Sequence, residues 1–413
     1  MYEKLYKRIT CRQCSSKDLS LAIKLNPTPL ANNYLKDLNS SSENEVFPLD
    51  VFFCNHCKHL QLLHVVDPKI LYKNYVYVSG TSPVFVNHFK KYAQNLFESY
   101  VKDGLVIDIG SNDGTLLKEF KALGYSVLGI EPAKNIAEEA EQEGIETVVD
   151  FFSTKVAESI KSAYGKANVI TANNVFAHID NPINFLKGIQ KLLSEDKGIF
   201  VFEVSYLRDV IENTFFDTIY HEHLDYHTLL PLKGLLERSG FEVIDANCID
   251  THGGSLRVIS QLKGGVNQIS PSVNQLIEIE KKLGLHSLST FLTFSEKIQK
   301  TGKKLKAVLN DIKSQGKTIV GYGAPAKATT LLYQFDIGIE TLDFIVDDSK
   351  WKQFLFLPGK KIPIYPKEYI FTKKPDYILI LAWNFSSSII KNNQEFKSNG
   401  GKFIIPLPNV EIN

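Results

Sequence analysis

The sequence predicts an α/β protein of several domains, and three observations predict it. Residues 105–203 alternate short apolar runs with helical patterns, and a second alternating region occupies 318–383. The 413 residues exceed what one ordinary hydrophobic core organises. Charge excludes other classes. Lysine and arginine number 47 against 46 acidic residues, a net of +1 without a long block of one sign, so no nucleic-acid surface is expected. The first residues are polar, and no apolar stretch approaches the ~18 residues of a membrane span. The expectation is a cytoplasmic protein without a membrane partner.

A first unit is expected over residues 1–67. Cys11-Arg-Gln-Cys14 and Cys54-Asn-His-Cys57 are two C-x-x-C knuckles, which place four thiolates on two tight turns. Structural zinc is the favoured reading over redox pairs or unligated thiols, because four thiolates close a tetrahedron and leave no position for water. Cys248, alone in the run Phe241 to Cys248, reads as a packed strand residue.

A second unit, 68–265, opens with the aromatic stretch Leu71 to Ser82, read equally as a pinned linker or a lid, and a helix from Val84 to Tyr100. Buried strands are expected at 105–109, 127–130, 147–149, 169–172 and 199–203, forming a parallel sheet with helices on both faces. The chemistry begins at the turn Asp108-Ile-Gly-Ser-Asn-Asp-Gly114. Its glycines let the backbone approach a ligand, and Glu131, ending the next strand, is placed to take two ribose hydroxyls. A dinucleotide loop has three glycines to cradle a pyrophosphate. This one has Gly110 and Gly114 around Ser111, Asn112 and Asp113, a slightly acidic turn suited to a cationic nucleoside such as S-adenosylmethionine. Ligands on such sheets bind at the carboxyl ends of strands, which gathers Gly110, Glu131, Asp150, Phe151, Asn173 and Glu203 around one crevice, with Asp150 and Phe151 against adenine.

Residues 266–315 read as a helical connector, with Phe291, Phe294, Ile298, Leu305, Val308, Leu309 and Ile312 on one face and a break at Gly302. The last unit, 316–413, is a small α/β domain. Its turn Gly321-Tyr-Gly-Ala-Pro-Ala-Lys327 lacks a third glycine. The favoured reading is a cradle for the phosphates of a nucleotide-linked substrate, with Lys327 as a point charge and Tyr322 beside it, ahead of a structural turn or a nicotinamide site.

The densest acid-base capacity lies in Thr218-Ile-Tyr-His-Glu-His-Leu-Asp-Tyr-His-Thr228. An extended chain would separate Tyr220 from His223, whereas a helical turn would place them together. A metal site of His221, His223 and His227 and a set of core histidines are the weaker readings. The favoured one is a general base with a tyrosine that stabilises developing charge. A base is needed most where the acceptor is a carbon acid beside a ketone.

In order along nearly the whole chain, the two C-x-x-C pairs, D-I-G-S-N-D-G, Y-H-E-H, H-G-G-S-L-R and G-Y-G-A-x-x-K resemble the nucleotide-sugar C-methyltransferases of deoxysugar pathways. The resemblance implies a zinc-binding N-terminal domain, a central class I Rossmann-like domain for S-adenosylmethionine, and a C-terminal Rossmann-like domain that helps hold the sugar nucleotide. It implies methylation of C-3 of a 4-keto-deoxyhexose linked to thymidine diphosphate (dTDP). By the same resemblance His223 is the base, with Tyr220, Glu222 and His178 as its catalytic neighbours. Asp108, Asn112 and the crevice residues hold the donor. Tyr75 or Tyr77, His252 and Arg257 face the substrate, although a tight hairpin with Arg257 exposed is the other reading of 252–257. His227 follows the core motif without a match. A monomer or weak homodimer is expected. The alternatives from other classes are a sugar O-methyltransferase and an inactive zinc-knuckle interaction protein.

Overall fold

A computed structural model of the chain describes residues 4–37, 45–71, 83–251 and 253–413. In the N-terminal part, β1 (Leu5–Lys7) pairs antiparallel with β5 (His64–Val66), while β2 (Leu19–Ile23), β3 (Val51–Cys54) and β4 (Leu60–Leu62) form an antiparallel sheet. The second knuckle is the turn between β3 and β4. There Lys58 takes the left-handed conformation at φ 69° and its N–H returns to the Cys54 carbonyl. A short helix, α1 (Pro68–Leu71), follows.

Helix α2 (Pro83–Ser99) leads into the central sheet, close to the helix expected at 84–100. Strands β6 (Leu105–Ile109), β7 (Ser126–Ile130), β8 (Thr147–Val148), β9 (Val169–Thr171) and β10 (Ile199–Ser205) are all parallel. Between them run α3 (Thr115–Ala122), α4 (Lys134–Gln142), α5 (Thr154–Tyr164) and α6 (Pro182–Leu192). After β10 come α7 (Leu207–Glu212), β11 (Asp225–Tyr226), α8 (Leu229–Arg238) and the long antiparallel hairpin β12 (Phe241–Ile249) and β13 (Ser255–Leu262). The sheet order is β12-β13-β10-β9-β6-β7-β8, so the order reverses at β6, and the crevice over the carboxyl ends of β6, β7 and β9 is the expected place for a ligand. Cys248 is on a strand as expected, but it is exposed rather than packed, because the hairpin's outer strand is a sheet edge.

Strand β11 does not join that sheet. It pairs antiparallel with β4, Asp225 opposite Gln61, and becomes an edge of the N-terminal sheet in the order β11-β4-β3-β2.

The connector is α9 (Pro271–Lys282) and α10 (Leu288–Ser314). The expected break at Gly302 does not occur. Helix α10 runs through it, and the missing side chain admits Phe335, whose Cδ1 would lie 2.4 Å from an added Cβ. The C-terminal sheet contains β14 (Ile319–Tyr322), β15 (Ile345–Val346), β16 (Ile364–Tyr365), β17 (Tyr377–Ile380), β18 (Lys402–Ile405) and β19 (Glu411–Ile412), with α11 (Ala326–Gln334) after β14. All but β19 are parallel.

One continuous core includes Val51, Phe53, Leu60 and Leu62 of the N-terminal sheet, Phe216, Ile219 and Tyr226 beside the histidine-rich segment, Phe291 and Ile298 of α10, and the C-terminal sheet. The N-terminal part is therefore packed into the body of the protein. Among the described residues no helix is long and apolar enough to cross a membrane.

Candidate active site

A cavity of 280 Å³ opens over the carboxyl ends of β6, β7 and β9. Asp108, Gly110, Asn112, Glu131, Asp150, Phe151 and Asn173 all line it, as expected from their strand-end positions. Gly110 has φ 72°, and a Cβ there would sit 2.4 Å from Val175 Cγ2. Gly114 is not in the wall. It caps α3 at φ 73° and lies against Ile145. Glu131 is held rigidly, since its Oε2 accepts the Asn112 N–H at 3.0 Å and its Oε1 the Ala133 N–H at 2.9 Å. Asp108 accepts the Thr171 hydroxyl at 2.6 Å, and burial pushes its carboxyl up to about 7.

Among the described residues the lining contains Asp108, Glu131, Asp150 and Asp180, the last paired with Arg8 and Arg12 outside the wall, but no lysine or arginine, with Phe85, Phe89, Phe151, Phe152 and Phe185 as apolar walls. A fixed carboxylate for a ribose, aromatic walls for a base and an acidic rim for positive charge fit S-adenosylmethionine and would repel phosphate. Phe85 and Phe89 were missed in the sequence, where their i, i+4 spacing on α2 reads only as core. Glu203 is not in the wall. It is buried against Arg257 Nε at 2.7 Å and His88 Nε2 at 2.9 Å.

The Tyr220–His223 segment is neither extended nor helical but a tight turn, closed by the His223 N–H on the Tyr220 carbonyl at 2.9 Å. The two rings lie 4.2 Å apart between centroids, and the Tyr220 hydroxyl is 3.1 Å from His223 Nε2. His223 Nδ1 is 2.8 Å from the Thr218 carbonyl, which can only accept. Nδ1 therefore carries the hydrogen and Nε2 presents a lone pair at Tyr220. The His178 ring is 5.1 Å from that of His223 and also forms part of the crevice wall, so one residue joins the two sites. Burial holds the His178 imidazole neutral, with its pKa down to about 3.

The remaining histidines diverge, against a common metal. His221 is buried with Nε2 at 3.3 Å from the Phe47 carbonyl, and His227 is buried between His59 and Phe176. Burial depresses both, to about 4 and about 3. Glu222 is 5% exposed, accepts the Asn32 side-chain N–H at 2.7 Å and is raised by burial to about 7. Asn32 comes from a loop of the N-terminal part whose sequence carries no motif.

Tyr75, Tyr77 and His252 lie outside the described residues. Arg257 is not exposed on a hairpin. It lies on β13 with 7% exposure, paired to Glu203 and 4.0 Å from the centre of the Tyr92 ring. Lys327 starts α11, donates to Asn384 Oδ1 at 2.7 Å and lies 4.2 Å over Trp383. Tyr322 is 3.4 Å from Asp348 Oδ2, and the Ala324 N–H donates to Asp347 Oδ2 at 2.6 Å. The turn expected to cradle phosphate thus has an amide and its lysine engaged within the protein. Its neighbourhood is nonetheless tied to the histidine-rich segment, because Thr330 of α11 donates to the Ile219 carbonyl at 2.8 Å and Trp383 Nε1 to buried Asp217 at 2.6 Å.

The four thiols of Cys11, Cys14, Cys54 and Cys57 lie within 4.8 Å of one another, with Cys11–Cys57 at 3.5 Å and Cys14–Cys54 at 3.6 Å. A zinc–sulfur tetrahedron has edges of about 3.8 Å, so the set fits zinc and fills its coordination sphere.

Residues 11–72 match a family model for a zinc binding domain, 88–246 one for a methyltransferase domain, and 250–408 one for a C-methyltransferase C-terminal domain. The chain is 35% identical over 404 residues to the C-methyltransferase NovU of Streptomyces niveus, covering 97% of this chain and 96% of that protein. Solved structures align over less than half of the chain. Magnesium protoporphyrin IX methyltransferase from Synechocystis PCC 6803 matches at TM-score 0.34 and 14% identity, over 46% of this chain and 88% of its own. An S-adenosylmethionine-dependent methyltransferase from Clostridium acetobutylicum matches at TM-score 0.35 and 14% identity, over 48% of this chain and 96% of its own.

Proposed function

The chain belongs to the C-methyltransferase family, and from that premise we propose that it transfers a methyl group from S-adenosylmethionine to C-3 of a nucleotide-linked 4-keto-deoxyhexose, dTDP-linked by the resemblance of its motifs. The observation that carries this reading is the fixed tautomer of His223, whose Nε2 lone pair stands beside the Tyr220 hydroxyl and the His178 wall of the crevice. A carbon acid needs such a base together with a donor to the developing oxyanion.

His223 Nε2 takes the proton from C-3, and the C–H electron pair moves into the ring as an enolate. As the sugar binds, the Tyr220 hydroxyl turns from Nε2 to the sugar's carbonyl oxygen and, with His178, steadies the charge that develops there. S-adenosylmethionine bound in the crevice supplies an electrophilic methyl group. The C-3 electrons form the new carbon–carbon bond as the sulfur keeps the pair of the broken one, giving S-adenosylhomocysteine and a branched sugar. His223 then returns its proton to solvent. If base and donor lie on opposite faces of the sugar, in-line transfer inverts C-3. Zinc has no open position here and serves the frame.

The test is exchange at C-3 of a dTDP-4-keto-6-deoxy sugar in deuterated water with S-adenosylhomocysteine present, comparing wild type with His223→Ala. Enzyme-dependent exchange lost in the variant supports the reading. Absence of exchange in wild type, with the donor crevice occupied, overturns it and favours a hydroxyl acceptor.

A further inference from the structure

Arg12 lies between the first pair of cysteines, yet its side chain is wholly buried and directed away from them. Its backbone N–H and Nη1 contact Gln61 Oε1 of β4 at 2.9 and 3.4 Å, which fixes the root of the side chain. The guanidinium then reaches two separate segments. Nη1 donates to the Leu224 carbonyl at 3.0 Å and meets Asp225 Oδ1 at 3.4 Å. Nε and Nη2 both lie 3.4 Å from Asp180 Oδ1.

Those two segments carry the two active-site histidines. Leu224 directly follows His223, and Asp180 stands two positions after His178. The segments also touch each other, because the Leu224 N–H donates to the Ala177 carbonyl at 2.9 Å. The Leu224 carbonyl receives a second donor from the same N-terminal sheet, the Leu62 N–H at 2.9 Å. Two further pairs add to the grip. Arg8 Nη1 reaches Asp180 at 3.0 Å, and His59 pairs with Asp225. A guanidinium presents five donors in one rigid plane and can serve acceptors on two chains at once, which a lysine ammonium on a flexible stem cannot reproduce.

We infer that Arg12 is a positioning residue for catalysis, clamping the His178 and His223 segments at their working separation and making the first zinc knuckle part of the frame of the base. The inference rests on His223 being the base. Loss of the clamp leaves the Leu224 carbonyl on the Leu62 N–H alone and loosens the alignment of His223 between the Thr218 carbonyl and Tyr220.

The experiment uses full-length, zinc-loaded Arg12→Gln and Arg12→Lys. Zinc content, calorimetric affinity for S-adenosylhomocysteine, kcat and KM are measured, together with nitrogen-15 spectra of the labelled His223 imidazole. In Arg12→Gln, zinc content stays at wild-type level and S-adenosylhomocysteine affinity near it, because Arg8 still holds Asp180, while kcat falls about 10- to 100-fold with little change in KM and the His223 signals leave the Nδ1–H tautomer. Arg12→Lys, which keeps a charge beside the buried carboxylates, falls between the two. If Arg12→Gln does not fold, Arg12→Lys decides alone. A zinc-loaded variant with wild-type kcat and an unchanged imidazole overturns the inference, and so does loss of zinc in both variants, since Arg12 would then act on the metal site. Persistent exchange in His223→Ala would instead remove the base assignment itself, whatever the Arg12 variants do.

Discussion

Replacing Glu222 with glutamine should make the protein more stable at alkaline pH while leaving it unchanged in acid. The carboxyl is 5% exposed and its pKa is lifted from 4.5 to about 7, with burial opposed only by the Asn32 hydrogen bond. The unfolded chain ionises first, so the native state binds the extra proton as pH rises between these values. Native stability is therefore lost across that window and levels off above pH 7. The full cost is about 3 kcal/mol. Glutamine keeps a carbonyl oxygen for the Asn32 N–H and carries no charge, so the advantage of Glu222→Gln should be near zero at about pH 4 and approach about 3 kcal/mol at about pH 8. At about 1 °C per kcal/mol for a cooperative unit of 413 residues, that is a rise in melting temperature of about 3–4 °C. Thermal unfolding followed by tryptophan fluorescence suits the purpose, since Trp383 is 4% exposed within the core that contains this segment. Zinc affinity changes with pH in both proteins and cancels in the difference. A gap that does not vary with pH, or a glutamine variant less stable at pH 8, would refute the reasoning.

Glu131→Ala strands the Asn112 and Ala133 N–H groups and removes the ribose partner, so calorimetric affinity for S-adenosylhomocysteine should fall about 10- to 100-fold, and an unchanged Kd would contradict the site. Gly302→Ala is favoured by helix propensity by about 1 kcal/mol, but the clash with Phe335 should reverse the sign and lower the melting temperature, by about 1–3 kcal/mol in stability. A melting temperature above wild type would show that Phe335 gives way. Stripping zinc with a strong chelator should release the knuckles and the β11–β4 pairing, raising amide exchange over 218–228 and abolishing turnover until zinc is restored. Full turnover by metal-free protein would argue that the frame stands without it.

Local chemistry was legible in the sequence. Gly110 is needed where the chain turns sharply against Val175, Glu131 ends the next strand, and a C-x-x-C knuckle gathers its own pair of thiols, so each signal lies within a few residues of its consequence. The helical face from Phe291 to Ile312 was equally plain, because its period is a property of one helix. Gly302 shows the limit of such reading. Its reason is a ring from α11's end, and without that partner a glycine in a helix looks like a break.

By itself the sequence determined the alternating α/β units, the four thiol ligands, the donor crevice and the segment that carries the proposed base. The tertiary structure alone decided that β11 completes the N-terminal sheet, that Tyr220 and His223 meet across a turn, that Arg257 is spent on Glu203, and that Asn32 and Arg12 reach the active-site segments. The physical reason is one of range. Turn geometry, strand-end position and helical period are set by neighbours in the chain, whereas a buried carboxylate or guanidinium must find its partner wherever the packed core brings one, at any separation in sequence.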